Sequence, residues 1–142
     1  MRPTLMRKRT LARELALQAL YELDVRDARD LSRLDEFLAE YAEDEDVAGF
    51  ARDLVAGTWE HRAQIDARIE KVARNWELRR MAVVDRNILR LAAFELLHRE
   101  DIPPLVSINE AIEMAKKFST RNSGPFVNGI LDNLRTKETA SG

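Results

Sequence analysis

Two groups of residues in this chain have types and spacings that could do chemistry, and both suit a polyanion better than a reaction. Arg7, Lys8, Arg9 and Arg13 crowd the beginning of the chain, where no acid precedes Glu14. Clustered cations neutralise phosphates and give affinity without sequence choice, although a short basic end is as often plain surface charge. The stretch from Ser119 to Phe126 differs in kind. It offers Arg121, Asn122 and Ser123 between Phe118 and Phe126. Single-stranded RNA is held by phosphate contacts together with base stacking on aromatic rings. Phe118 reads as core packing; Phe126, just after the loop, suits either role.

Catalysis finds little support. His61 and His98 each sit in a helical stretch without a second ligand at metal spacing, and read as surface or helix-end residues. No glycine-rich phosphate loop follows a strand, and nucleophile-elbow and zincin patterns are absent. No catalytic residue, metal ligand or cofactor is expected. Glu95 interrupts an apolar run, where an unpaired carboxylate would be costly. Arg99, four residues on, is its expected partner; a polar contact to another protein is the alternative. Trp59 and Trp76 read as core or groove packing.

At 142 residues, 45% apolar and 34% charged, the chain fits one helix-rich domain with a real core. It holds five glycines, four prolines and no cysteine, which excludes disulfides and thiolate metal sites. No apolar run reaches membrane-spanning length, and the basic N-terminus lacks the apolar core of a secretion signal. A cytoplasmic location is the default. The net charge of −2 hides an asymmetry between the basic start and the acidic run Asp35 to Asp46.

The elements that must position these groups are all helical; no stretch shows sustained two-residue alternation. Residues Met1 to Arg7 read as a frayed cationic arm. A helix from about Arg9 to Leu23 buries Ala12, Leu15, Ala16, Ala19, Leu20 and Leu23. Arg9, Arg13, Leu17 and Tyr21 share one ridge. Ser32 and Asp35 suggest a second start, with Leu34, Phe37, Leu38 and Tyr41 facing inward. The charge run Glu43 to Asp46 reads as a solvated loop feeding a helix N-terminus. A long helix over about Val47 to Ala73 follows, weakened at Gly57, where a close helix crossing or a break is expected. Asn75 suits the cap of a short turn holding Trp76 and Leu78. Asp85 suits the N-cap of a helix from Asn87 to His98. That helix is apolar nearly all round and therefore central. Ser107 and Glu110 have capping-box spacing for the next helix. Ser123 or Gly124 starts the last one, with Pro125 in its first turn.

The blocks INEAIEMAKKFS (Ile108 to Ser119) and FVNGILDNL (Phe126 to Leu134) resemble the C-terminal signature of the NusB family of bacterial transcription antitermination factors. RELALQALY (Arg13 to Tyr21) and DRNILRLAAFEL (Asp85 to Leu96) extend the likeness over nearly the whole chain. The resemblance implies an all-α fold of about seven helices in two small packed bundles, about 9–74 and 75–135. It implies a non-catalytic factor that binds the boxA element of ribosomal RNA leader transcripts. The implied partners are NusE, a small-subunit ribosomal protein, and the RNA polymerase antitermination complex. RNA contacts would fall on Arg7, Lys8, Arg9 and Arg13, and on Asn122, Ser123 and Phe126. The NusE surface would fall on Tyr21, and on Asp85, Arg86 and Glu95. The chain departs from the family where Arg7-Lys8-Arg9 is followed by Thr10 and Leu11. It departs again where Asn122 replaces a frequent acid and Pro125 a basic or polar residue.

Two rival readings belong to other classes. NusB-like domains also precede some ribosomal RNA cytosine methyltransferases, but 142 residues leave no room for a cofactor-binding fold. A pure protein-interaction module, or a homodimer that buries the RNA surface, is the other. The leading reading requires the cationic tip and the Phe126 bend to lie close enough for one RNA strand to touch both.

Overall fold

A computed structural model describes residues 4–74 and 76–141, the last five (137–141) by backbone alone. Seven α-helices follow in order: α1 Leu5–Val25, α2 Leu34–Tyr41, α3 Glu45–Glu60, α4 Arg62–Val72, α5 Val83–His98, α6 Pro104–Phe118 and α7 Ser123–Ser141. One 3₁₀ turn, Leu78–Arg80, precedes α5, and no strand occurs among the described residues. The expected all-helical class is therefore what forms. The expected cap at Asn75 lies outside the described residues.

Local chemistry sets several of the ends. Thr4 caps α1, its hydroxyl accepting the Arg7 amide at 3.1 Å. Residues Thr4 to Arg7 are thus ordered into a cap and first turn, not the frayed arm expected; Met1 to Pro3 lie outside the described residues. Asp44 caps α3 by accepting the Val47 amide at 2.9 Å, and Glu45 and Asp46 fill the first turn. The acidic run therefore feeds a helix start, as expected. The long helix expected after it is divided at His61, where α3 ends and α4 begins.

Two expected caps are replaced. Pro104 occupies the first turn of α6, where its fixed φ and missing amide are harmless. The helix therefore begins before Ser107, and both Ser107 and Glu110 lie inside it, with side chains free to reach other helices. Likewise α5 begins at Val83, so Asp85 stands within its first turn and its carboxylate turns elsewhere.

α5 packs against α1, α3, α4, α6 and α7, which makes it the central helix. Ile88, Leu89, Leu91, Ala92 and Ala93 are buried along it. Gly57 of α3 is the close crossing anticipated from sequence: a Cβ there would stand 2.1 Å from Cζ of Phe94 on α5. The far end of α1 is tied down by Asp24. Its carboxylate accepts from Arg86 at 2.7 and 2.8 Å, from Asn87 at 2.8 Å and from Arg90 at 2.9 Å. Arg90 also reaches Asp66 of α4 at 2.8 Å, so one network joins α1, α4 and α5.

Candidate nucleic-acid interface

Helical phase separates the four basic residues of α1. Arg7 points into solvent. Lys8 is half-buried and pairs with Asp44 and Asp46 at 3.0 and 2.9 Å. The bond to Asp46, then that to Asp44, raises the Lys8 pKa. Arg9 lies over the Phe50 ring, 4.6 Å from its centroid. The Arg13 and Arg99 guanidiniums approach the same ring at 5.4 and 5.3 Å. Such contacts hold the cations in fixed orientations.

Arg13 does not face solvent; it is 2% exposed. Its guanidinium donates to both oxygens of Glu95 at 2.9 Å and approaches Glu110 at 3.4 Å. Ser107 donates to Glu95 at 2.7 Å, and Thr10 to Glu110 at 2.7 Å. Arg13 and Glu95 are therefore a buried bond between α1, α5 and α6, and neither is placed for the outward contact assigned from sequence. Nor does Glu95 pair with Arg99. That arginine instead holds Asp101 through two bonds of 2.9 Å, and the Arg99 bond lowers the Asp101 pKa to about 2. The i to i+4 expectation fails because a residue from another helix presents the better fork.

The loop divides in the same way. Asp85 accepts from Ser119 at 2.6 Å and from Ser123 at 3.1 Å, which clamps the start of α5 to both ends of the loop. Ser123 and Asp85 are both buried and shape the loop, at the inner wall of a cleft beside Trp76 and Phe126. Arg121 and Asn122 stand exposed between them. Phe126 is half-buried and meets the exposed Trp76 edge-on at 5.6 Å. Trp76 thus lines grooves without entering the core. Phe118 is not core either; it is 43% exposed, with the Lys117 ammonium 5.3 Å from its ring centroid.

Phe118 lines a groove of about 500 Å³ along α1 together with Leu11, Leu15, Tyr21 and Tyr41. Glu14 and Glu43 stand on its wall. Tyr21 is exposed there, whereas Arg86 is largely committed to Asp24. The two histidines, isolated in the sequence, stack at 4.0 Å between centroids. No group of three or more metal-ligating side chains converges among the described residues.

The cationic tip and the Phe126 bend do not meet. The tip neighbours Arg99 beyond the end of α5, and the bend is clamped to Asp85 at its beginning. Those two anchor points on α5 are about 20 Å apart by helical rise. A seam between α1 and α6 connects them through Thr10–Glu110 and then Glu14–Lys117, the latter at 3.1 Å. Phase and tertiary pairing, invisible in a linear motif, decide which cations stay open to a ligand. For this reason Phe50 was not singled out, Arg99 was assigned to Glu95, and Trp76 was read as core or groove packing, of which the groove is what forms.

A scaffold with no strand among its described residues, its helices fixed by internal ion pairs and its surface lined with open cations and aromatic rings, belongs to the all-α class. A sequence model of the NusB family matches residues 10–136. Transcription antitermination protein NusB of Desulforapulum autotrophicum is 48% identical over 136 residues, covering 92% of each chain. The structure of T. maritima NusB matches all of both chains at 40% identity and a TM-score of 0.82. A chain in a structure of antitermination factors NusB and NusE in complex with dsRNA matches at 30% identity and a TM-score of 0.84. That match covers 93% of this chain and 98% of the other. The chain belongs to the NusB family.

Proposed function

We propose that this chain is a non-catalytic transcription antitermination factor that binds boxA RNA of ribosomal RNA leaders together with NusE. The observation that carries the reading is the pair of open surfaces joined by the α1–α6 seam. Arg7 and Arg9 stand at one end, and Arg121, Asn122 and Phe126 at the other. Phosphates would be held at the tip and bases at the bend. Arg13, Glu95, Asp85 and Ser123 act as positioning residues that fix the helices carrying these groups. Lys8, already neutralised by two carboxylates, contributes less than its neighbours. The Tyr21 groove, apolar with an acidic wall, suits a basic protein such as a ribosomal protein, and is the surface assigned here to NusE. Delivery of the RNA to RNA polymerase follows through that complex.

The test is a titration of boxA RNA against the protein, with and without NusE, at two salt concentrations. Salt-sensitive binding that tightens with NusE is the expected result. Binding of neither RNA nor NusE would overturn the reading. One observation favours a second arrangement: Tyr21, Tyr41 and Phe118 leave apolar surface open, which a second copy of the chain could cover. Light scattering with and without RNA separates the two, since a dimer indifferent to RNA is expected only of a self-associating module.

A further inference from the structure

Trp76 is 52% exposed, an unusual state for the largest apolar side chain in a chain that buries most of its others. It stands between two clefts. One, of about 350 Å³, places Trp76 and Phe126 beside Arg80, Thr120 and Asn122. The other, of about 380 Å³, places the same two rings beside Arg74 and Asn133. The edge-on contact with Phe126 fixes the indole without covering it.

Charge decides what fits. Among the described residues, Asp85 is the one carboxylate on either wall, and both its oxygens are taken by Ser119 and Ser123. Arg74 and Arg80 are exposed, and Arg80 makes no ion pair among the described residues. Aromatic faces, arginines and an open amide at Asn122 match an unpaired base and its phosphates. The Tyr21 groove, with Glu14 and Glu43 on its wall, lacks that match.

We infer that Trp76 is a stacking platform for an unpaired base of bound RNA, with Arg80 facing the adjoining phosphate. The inference rests on the RNA-binding reading above and extends it to a residue on no α-helix.

The experiment compares wild type, Trp76→Ala, Trp76→Phe and Arg80→Ala, using labelled single-stranded boxA RNA and, separately, NusE. Trp76→Ala should weaken RNA binding about 5- to 150-fold, the range for one stacked base, with the salt slope unchanged. Trp76→Phe should recover most of the loss. Arg80→Ala should weaken binding and flatten the slope. Trp59→Phe leaves Trp76 as the sole indole, whose emission should be quenched as RNA saturates. Wild-type RNA binding with Trp76→Ala equally tight and no quenching would overturn the inference alone. So would RNA affinity left intact while NusE binding fell, which would make the cleft a protein site. Absence of RNA binding by wild type would overturn the parent reading and this one with it.

Discussion

Arg9 and Arg13 are one helical turn apart, yet their guanidiniums have opposite surroundings. Arg9 lies over Phe50 at the surface, whereas Arg13 is sealed against Glu95. Their replacement should therefore do different things. Arg13→Ala strands the Glu95 carboxylate in the core and should lower unfolding free energy by about 3–5 kcal/mol, read by chemical denaturation. Arg7→Ala with Arg9→Ala should leave stability within about 0.5 kcal/mol, because surface changes seldom do more. The double variant should instead reduce the salt slope of RNA binding by about 0.7 for each single-strand phosphate no longer neutralised. An unchanged slope would remove the tip from the RNA surface.

The helices depend on a few tight approaches and polar ties. Gly57 lets α3 reach the Phe94 ring, so Gly57→Ala should destabilise by about 1–3 kcal/mol through overpacking. A Cβ at Gly49, also on α3, would meet nothing within 4 Å, and Gly49→Ala should stabilise by about 0.5–1 kcal/mol. Paired thermal melts check both, and equal signs would refute the packing argument. The Asp24 tie makes a pH prediction. Burial alone would raise this carboxyl, but the bonds from Arg86 and Asn87 and the charges of Arg86 and Arg90 outweigh it and lower its pKa. A depressed carboxylate contributes stability above its unfolded value near 3.8, and that contribution is lost as pH falls through the folded value. Denaturation curves from neutral pH to below 3.8 should show the loss in wild type and a shallower acid limb in Asp24→Asn.

Across the whole molecule, the tip and the bend are anchored at opposite ends of α5, at points about 20 Å apart by helical rise. A bound strand must run along the α1–α6 seam to touch both. Sites so separated should act independently: the RNA-binding losses from Arg9→Ala and Phe126→Ala should add within about 0.5 kcal/mol. A larger coupling energy in that double-mutant cycle would place both groups at one binding locus.

Periodicity and end chemistry determined which segments are helical and which of them is central. The apolar run Ile88 to Leu97 needs burial all round whatever surrounds it, and Pro125 tolerates only a first turn. Gly57 likewise announced its crossing. These are local consequences of residue type. The partners of charged side chains were decided by the tertiary structure alone. Glu95 could choose Arg99, four residues on and just past the end of its helix, but Arg13 arrives from α1 with a bidentate fork in a site closed to water, and the fork prevails. Asp85, Ser107 and Glu110, each suited to a cap, were drawn to groups brought close only by folding. Exposure followed the same logic: Trp76 and Phe118 are apolar by type, yet folding leaves both exposed. Backbone preference acts over a few residues and is written in order; pairing and exposure depend on what folding places opposite.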